Sequence, residues 1–231
     1  DSMRLVRTLS NMGAAYLNLS YYQSAYEFFK KAIDLRPKSA EKDDSYYIAH
    51  INMAVAQISL KNYEAANAML RKLSEADSLS KHVKMLLFLN KAEVAQNIQQ
   101  AEVFERSLDS VEVYLPDQLQ YKPIYLESRA SGYLRLGLTE EAGFWMDQYL
   151  EEIGNQYSGE DIANLMLSYS EYLHEYKQEI VADSIIDRWM GKIDQSDDPS
   201  VKISFYQIKA DMEAEDGNFE EAFFYMSLVD S

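Results

Sequence analysis

The sequence repeats a two-helix pattern at nearly constant spacing, and this periodicity limits its possible folds more than any other feature. Between Leu9 and Pro37, small and apolar residues recur at helical spacing on both sides of a short polar break. One position near the start of each second helix marks the copies: Ala25, Ala66, Phe104, Ala142, Ala182 and Ala222. Successive markers are 38 to 41 residues apart. A single hairpin of this kind cannot bury its apolar face, so neighbouring copies must stack.

The first copy resembles a known family. Its conspicuous positions fall on the main columns of the 34-residue tetratricopeptide repeat (TPR): Leu9, Gly13, Tyr16, Ala25, Phe29, Ala32 and Pro37. The later copies resemble it more weakly but stay in register. The resemblance implies an all-α, right-handed superhelical solenoid of about six TPR-like helix-turn-helix hairpins. We expect one domain over residues 1–231, with hairpins at about 4–37, 44–78, 79–116, 121–154, 158–192 and 199–231.

Local signals predict details of these hairpins. Gly13 and Ala25 are small enough to let the paired helices approach closely, and Gly137 and Gly217 suit hairpin turns. Ser20 followed by Gln23 predicts a capping box at the start of the second helix. The last hairpin is rich in apolar residues and lacks a polar outer face. We therefore expect docking or chain continuation at this carboxyl-terminal hairpin, and the chain to be a fragment of a longer protein.

The charge balance excludes two classes of partner. The chain has 22 Lys and Arg against 38 Asp and Glu, a formal net charge of -16. Phosphate backbones and anionic membrane surfaces would repel such a chain, which predicts no nucleic-acid partner. No stretch of 18 apolar residues is present, so we expect no direct membrane insertion by this segment. The compartment, extracytoplasmic or cytoplasmic, stays open.

Chemistry-bearing motifs are missing from the sequence. His50, His82 and His174 fall on different hairpins, and Glu171 with His174 makes only one half of a di-iron pattern. The chain has no cysteine, nucleophile elbow or phosphate-binding loop. We therefore predict that this segment is not an enzyme and holds neither a metal nor a cofactor.

The TPR resemblance implies a concave groove, lined by the first helices of successive hairpins, that takes an extended peptide or a partner helix. Asn11, Asn52 and Asn90 recur in one column of these helices, and amides can both donate to and accept from a peptide backbone. An equally simple interpretation is that Asn is tolerated on any exposed helix face. Ser10 and Ala14 stand where a terminal-carboxylate clamp would need lysine and asparagine, so that clamp is not expected.

Acidic residues follow the asparagines toward the carboxyl end. The candidates on or beside the groove columns are Glu93, Glu127, Glu171, Glu175 and Asp211. They predict a basic or amine-bearing ligand in that half by electrostatic complementarity, unless they form only a solvated face.

Three functions remain open from the sequence. The first is a non-catalytic scaffold that binds a protein or peptide through the concave groove. The second is an extracytoplasmic sensor region of a bacterial membrane signalling or regulatory protein, suggested by the long, Tyr- and Asp-rich repeats. The third is a small-molecule pocket or enzyme within the superhelix, for which the sequence offers no cluster of convergent polar residues.

Overall fold

The computed structural model describes residues 2–76, 79–154 and 199–229, and every regular element in these ranges is helical. The α-helices are α1 (Ser2–Asn18), α2 (Tyr22–Leu35), α3 (Asp44–Ser59), α4 (Tyr63–Ser74), α5 (Lys81–Asn97), α6 (Ala101–Tyr114), α7 (Lys122–Arg135), α8 (Thr139–Gly154), α9 (Pro199–Glu215) and α10 (Phe219–Val229). Two short 3-10 turns, Leu115–Asp117 and Leu119–Tyr121, lie between α6 and α7. The all-α prediction is confirmed for this part of the chain.

The helices come in pairs. Five of the six predicted hairpins each contain two helices, and the hairpin expected at 158–192 lies outside the described residues. Contacts between Cα atoms cluster into two units, residues 1–128 and 129–231. The single domain and the right-handed superhelix stay predictions.

In residues 1–154, the second helix of each hairpin buries one narrow stripe. The stripe consists of the marker residue and the residues four and seven positions after it: Ala25, Phe29 and Ala32 in α2, Ala66, Leu70 and Leu73 in α4, Phe104, Leu108 and Val111 in α6, and Ala142, Met146 and Tyr149 in α8. This 4-3 spacing places one apolar row along a helix and leaves the opposite face polar. The repeat read from the sequence is therefore also the repeat of the core.

The first helices in residues 1–128 are buried on more than one side. In α5, Val83, Met85, Leu87 and Leu89 are all buried, although alternate residues point in different directions on a helix. Helix α3 contacts α1 and α5 as well as α2 and α4. A core cluster accordingly joins α3, α4 and α5. The first helices thus form a layer of their own, side by side.

The turn inside each described hairpin has the same backbone geometry. Its central residue has a positive φ: 61° at Ser20, 61° at Lys61, 58° at Gln99, 76° at Gly137 and 80° at Gly217. The next residue donates its N–H to the carbonyl five positions earlier, as from Tyr21 to Tyr16 (2.9 Å) and from Asn62 to Gln57 (2.8 Å). This is the Schellman arrangement that ends a helix. The marker residue always lies five positions after the positive-φ residue, so the turn fixes the register of the second helix.

The capping box predicted at Ser20 and Gln23 is wrong. Ser20 is the left-handed residue that ends α1, and α2 begins only at Tyr22, with no side-chain hydrogen bond at its Tyr21 cap. A serine in the left-handed conformation cannot also act as an N-cap, because N-caps adopt extended dihedrals. Ser20 therefore belongs to the Schellman turn that ends α1 and does not cap α2.

The close approach predicted at Gly13 is confirmed. A Cβ atom built on Gly13 would lie 2.9 Å from the Phe29 ring, whose side chain is almost completely buried. Only glycine therefore allows α1 to pack this closely on α2.

Candidate functional site

The predicted asparagine ladder lies on the layer of first helices in residues 1–128. Asn11 of α1 is exposed, and Asn52 of α3 and Asn90 of α5 are half-buried. Asn90 donates from Nδ2 to the carbonyl of Leu86 (2.8 Å), so its own helix uses one of its two N–H donors. Its carbonyl oxygen can still accept a hydrogen bond. Asn52 makes no side-chain hydrogen bond to another described residue. The three amides thus differ in what they offer a ligand.

Glu93 is held in place by amides of its own helix. Its carboxylate accepts hydrogen bonds from Nε2 of Gln96 and from Nδ2 of Asn97, the latter at 3.0 Å. Gln96 is buried, and its Oε1 atom is also buried and has no hydrogen-bond partner. Two kinds of hydrogen-bond acceptor therefore lie close together on α5, the Glu93 carboxylate and Oε1 of Gln96.

Glu127 of α7 belongs to the same acidic corner. Its side chain reaches solvent, yet desolvation by the surrounding protein raises its pKa, and the negative charge of Glu93 raises it further. The two observations are compatible, because protein atoms around an exposed carboxylate can still displace part of its hydration. Within the described residues, no cation forms a salt bridge with Glu127. We call Glu93 and Glu127 the acidic pair.

The second unit carries the other described acidic candidate. Asp211 lies exposed on α9. Two residues later, buried Glu213 accepts hydrogen bonds from Lys209 (2.9 Å) and Asn218 (2.9 Å). Burial alone would raise the pKa of Glu213, but these hydrogen bonds and the Lys209 charge lower it. The protein itself therefore compensates Glu213, while Asp211 faces solvent. Glu171 and Glu175 lie outside the described residues.

The amides that hydrogen-bond to the Glu93 carboxylate were not predicted from the sequence. Gln96 and Asn97 follow Glu93 by three and four residues, and that spacing on a helix could have identified them. The electrostatic interaction between Glu93 and Glu127 joins two hairpins, and only the spacing of the repeat could have suggested it.

The last described hairpin exposes an apolar face. Phe223 is 77% exposed and Phe224 is 55% exposed. Met226 occupies the stripe position that Phe29 and Leu70 fill in earlier hairpins, but it is 43% exposed. The deviation agrees with the apolar outer surface expected from the sequence, and docking or continuation there stays a prediction.

The described residues include neither a cluster of metal ligands nor a membrane-spanning helix. Among them, no three His, Asp or Glu side chains come together as a metal site would require. None of the described helices combines the length and the apolar character needed to cross a membrane.

Comparison with known proteins identifies the first hairpin. Residues 6–39 match the family model of the tetratricopeptide repeat. The fold is similar to a crystal structure of a tetratricopeptide repeat protein from Parabacteroides merdae, with 13% identity and a TM-score of 0.47, over 98% of this chain and 93% of that chain. A likeness this distant carries no functional argument. The search of curated proteins found no match.

Proposed function

We propose that this chain, which carries a tetratricopeptide repeat at residues 6–39, is a non-catalytic scaffold that binds a protein or peptide along its first helices. Repeats of this kind serve in general as surfaces for protein interaction. The layer formed by α1, α3 and α5 supports this proposal, because successive helices there present side chains of neighbouring hairpins to one ligand.

The observation that carries the proposal furthest is the acidic pair. Desolvation and the nearby negative charge of Glu93 raise the pKa of Glu127, so ionisation of Glu127 at neutral pH destabilises the folded protein. A lysine or arginine side chain placed between them would relieve this repulsion. The pair therefore favours a basic peptide, with the amides of the neighbouring Asn52 and Asn90 available to its backbone.

Binding of a lysine-containing peptide tests this function. Double substitution of Glu93→Gln and Glu127→Gln should weaken binding at least tenfold, since each close charge pair contributes about 1 kcal/mol or more when partly desolvated. The affinity of the wild type should also fall on acidification, as Glu127 takes up a proton. Isothermal titration calorimetry measures both effects.

The control is Glu27→Gln, an exposed carboxylate on the second helix α2. The test variant removes two negative charges, so the control must also remove two. Glu64→Gln on α4 is therefore combined with Glu27→Gln. If the control pair weakens binding as much as the acidic pair does, the ligand is attracted only by the net charge of -16, and the proposed site is wrong.

A further inference from the structure

A cavity of about 110 Å³ lies between α1, the end of α2 and the start of α3. Its polar lining comes from five residues: Arg7, Ser10, Asn11, Arg36 and Ser45. Apolar side chains, among them Val6, Ile33 and Ala49, complete the wall, and none of the lining residues is an Asp or Glu. In a chain with a net charge of -16, this cavity is lined by two arginines and no acid, and Asp43, which pairs with Arg36, lies outside the lining.

Arg36 is the buried cation of this cavity. Its side chain is only 7% exposed, and its guanidinium lies 5.3 Å from the centre of the Tyr46 ring. Nη2 donates to the carbonyl of Glu41 and to Oδ1 of Asp43 (3.0 Å), which fixes the guanidinium between the loop and α3. These contacts leave the side chain little freedom to leave the cavity wall.

One donor of the guanidinium still lacks a hydrogen-bond partner. Its Nε atom is buried with no acceptor, and a buried unpaired donor destabilises the protein. Its carboxylate partner Asp43 is half-exposed and also accepts hydrogen bonds from Ser45 and from the N–H of Tyr46. The Asp43 carboxylate therefore accepts hydrogen bonds both from Arg36 and from the start of α3. The second cation, Arg7, is exposed and makes no ion pair with a described residue.

From this arrangement we propose that the cavity binds a carboxylate on a short aliphatic stem. The carboxylate meets the positive field of Arg36 and Arg7, with Ser10, Asn11 and Ser45 as neutral hydrogen-bonding groups. The stem packs against the apolar wall. A cavity of about 150 Å³ accommodates benzene, so this smaller space accommodates four or five non-hydrogen atoms. A free short-chain acid and the side chain of a peptide glutamate share this chemistry.

This site is separate from the acidic pair and does not depend on the proposed basic ligand. It lies on the first two hairpins and takes the opposite charge. Either proposal can fail without the other.

The test titrates the whole chain with propionate and with its neutral isostere propionamide, while NMR follows the backbone amides of Ser10, Ile33 and Ala49. Propionate should shift these amides saturably and propionamide should not. Arg7→Gln should weaken propionate binding about tenfold or more, the loss expected for one charge-assisted hydrogen bond. Arg4→Gln is the matched control, because it makes the same charge change on the same helix outside the cavity lining.

A second arm separates the two sources of carboxylate. A Gly-Glu-Gly peptide with both termini blocked is compared with the corresponding blocked Gly-Gln-Gly peptide. Competition of the Glu peptide with propionate assigns a peptide side chain as a ligand, and binding of propionate alone assigns a free acid. Equal binding of propionate and propionamide, no binding of any carboxylate, or equal losses in Arg7→Gln and Arg4→Gln would overturn the proposal. Arg7 is exposed, so its substitution does not endanger folding as substitution of Arg36 could.

Discussion

Single contacts decide where the two layers of helices can approach and where charge is left uncompensated. Gly13 has no clearance for even one carbon atom, because the Phe29 ring lies 2.9 Å from its Cβ position. Glu127 shows the complementary situation, a charge whose environment disfavours ionisation. Gly13 allows close helix packing, whereas we expect ionised Glu127 to destabilise the unliganded protein.

Substitution of Gly13→Ala should therefore destabilise the protein. The added methyl group must displace the buried Phe29 ring, and overpacking of this kind costs about 1–3 kcal/mol, more than the helix propensity gained by replacing glycine. Urea unfolding measures the change in free energy. In the Gly13→Ala, Phe29→Leu double variant the cost should be less than the sum of the single costs. Strict additivity would contradict the assigned contact.

Substitution of Glu127→Gln should stabilise the unliganded protein at neutral pH. The folded-state pKa of Glu127 is raised, so the folded protein binds its proton more tightly than the unfolded chain does. The stability that this proton provides is present at low pH and is lost as the pH rises through the raised pKa. The thermal midpoint of the variant should thus exceed that of the wild type at pH 7. The difference should shrink as the pH falls through the raised pKa and should vanish below 4.5, the ordinary pKa of a glutamate.

Glu27→Gln serves as the control for this measurement, because it removes the same charge from an exposed position on α2. An equal rise in both variants would attribute the effect to the overall negative charge. It would then say nothing about the electrostatic interaction between Glu93 and Glu127.

The hairpin turn is the element that sets the repeat. All five described turns place one residue at positive φ, and in three of them that residue is not glycine. Serine, lysine and glutamine carry a steric cost in this conformation, about 1–2 kcal/mol per residue. The later glycine turns, at Gly137 and Gly217, avoid it.

Glycine substitutions at these turns have opposite signs according to position. Lys61→Gly should stabilise the protein by up to about 1 kcal/mol, because glycine adopts positive φ without a steric penalty. Ser59→Gly, two residues earlier in the helical part of α3, should destabilise it by about 0.5–1 kcal/mol. Gly137→Ala should also destabilise it, although no atom lies within 4 Å of the added Cβ. Chemical denaturation of the three variants distinguishes a conformational effect from packing.

Sequence alone predicted the elements better than their connections. The helical spacing of residues such as Ala25 and Phe29 predicted the buried stripes, because an apolar row reports directly on burial. Gly137 and Gly217 were recognisable as turn residues. Ser20 and Lys61 were not recognisable as turn residues, because a serine or lysine side chain does not indicate a left-handed backbone. In the site, the acidic residues were visible, but the cavity around Arg36 depends on how three helices meet.

At the scale of the whole molecule, charge and apolar exposure suggest several kinds of contact. The net charge of -16 attracts basic ligands in general, and salt screens this attraction over about 10 Å at 0.1 M. Specific recognition must therefore come from local features such as the acidic pair and the cavity. The exposed aromatic residues of α10, Phe223 and Phe224, add an apolar surface on the last described hairpin.

The central claim is that the first helices of residues 1–128 form the ligand-binding surface. Site-specific photo-crosslinking tests it most directly, with a photoreactive residue placed singly at Asn52 or Asn90 on first helices and at Glu27 or Glu64 on second helices. The variants are incubated with native lysate at physiological salt. The account predicts that distinct partner proteins are crosslinked from Asn52 and Asn90 and are absent from the second-helix positions. Crosslinking of the same partners from Glu27 and Glu64, or from those positions alone, would contradict it.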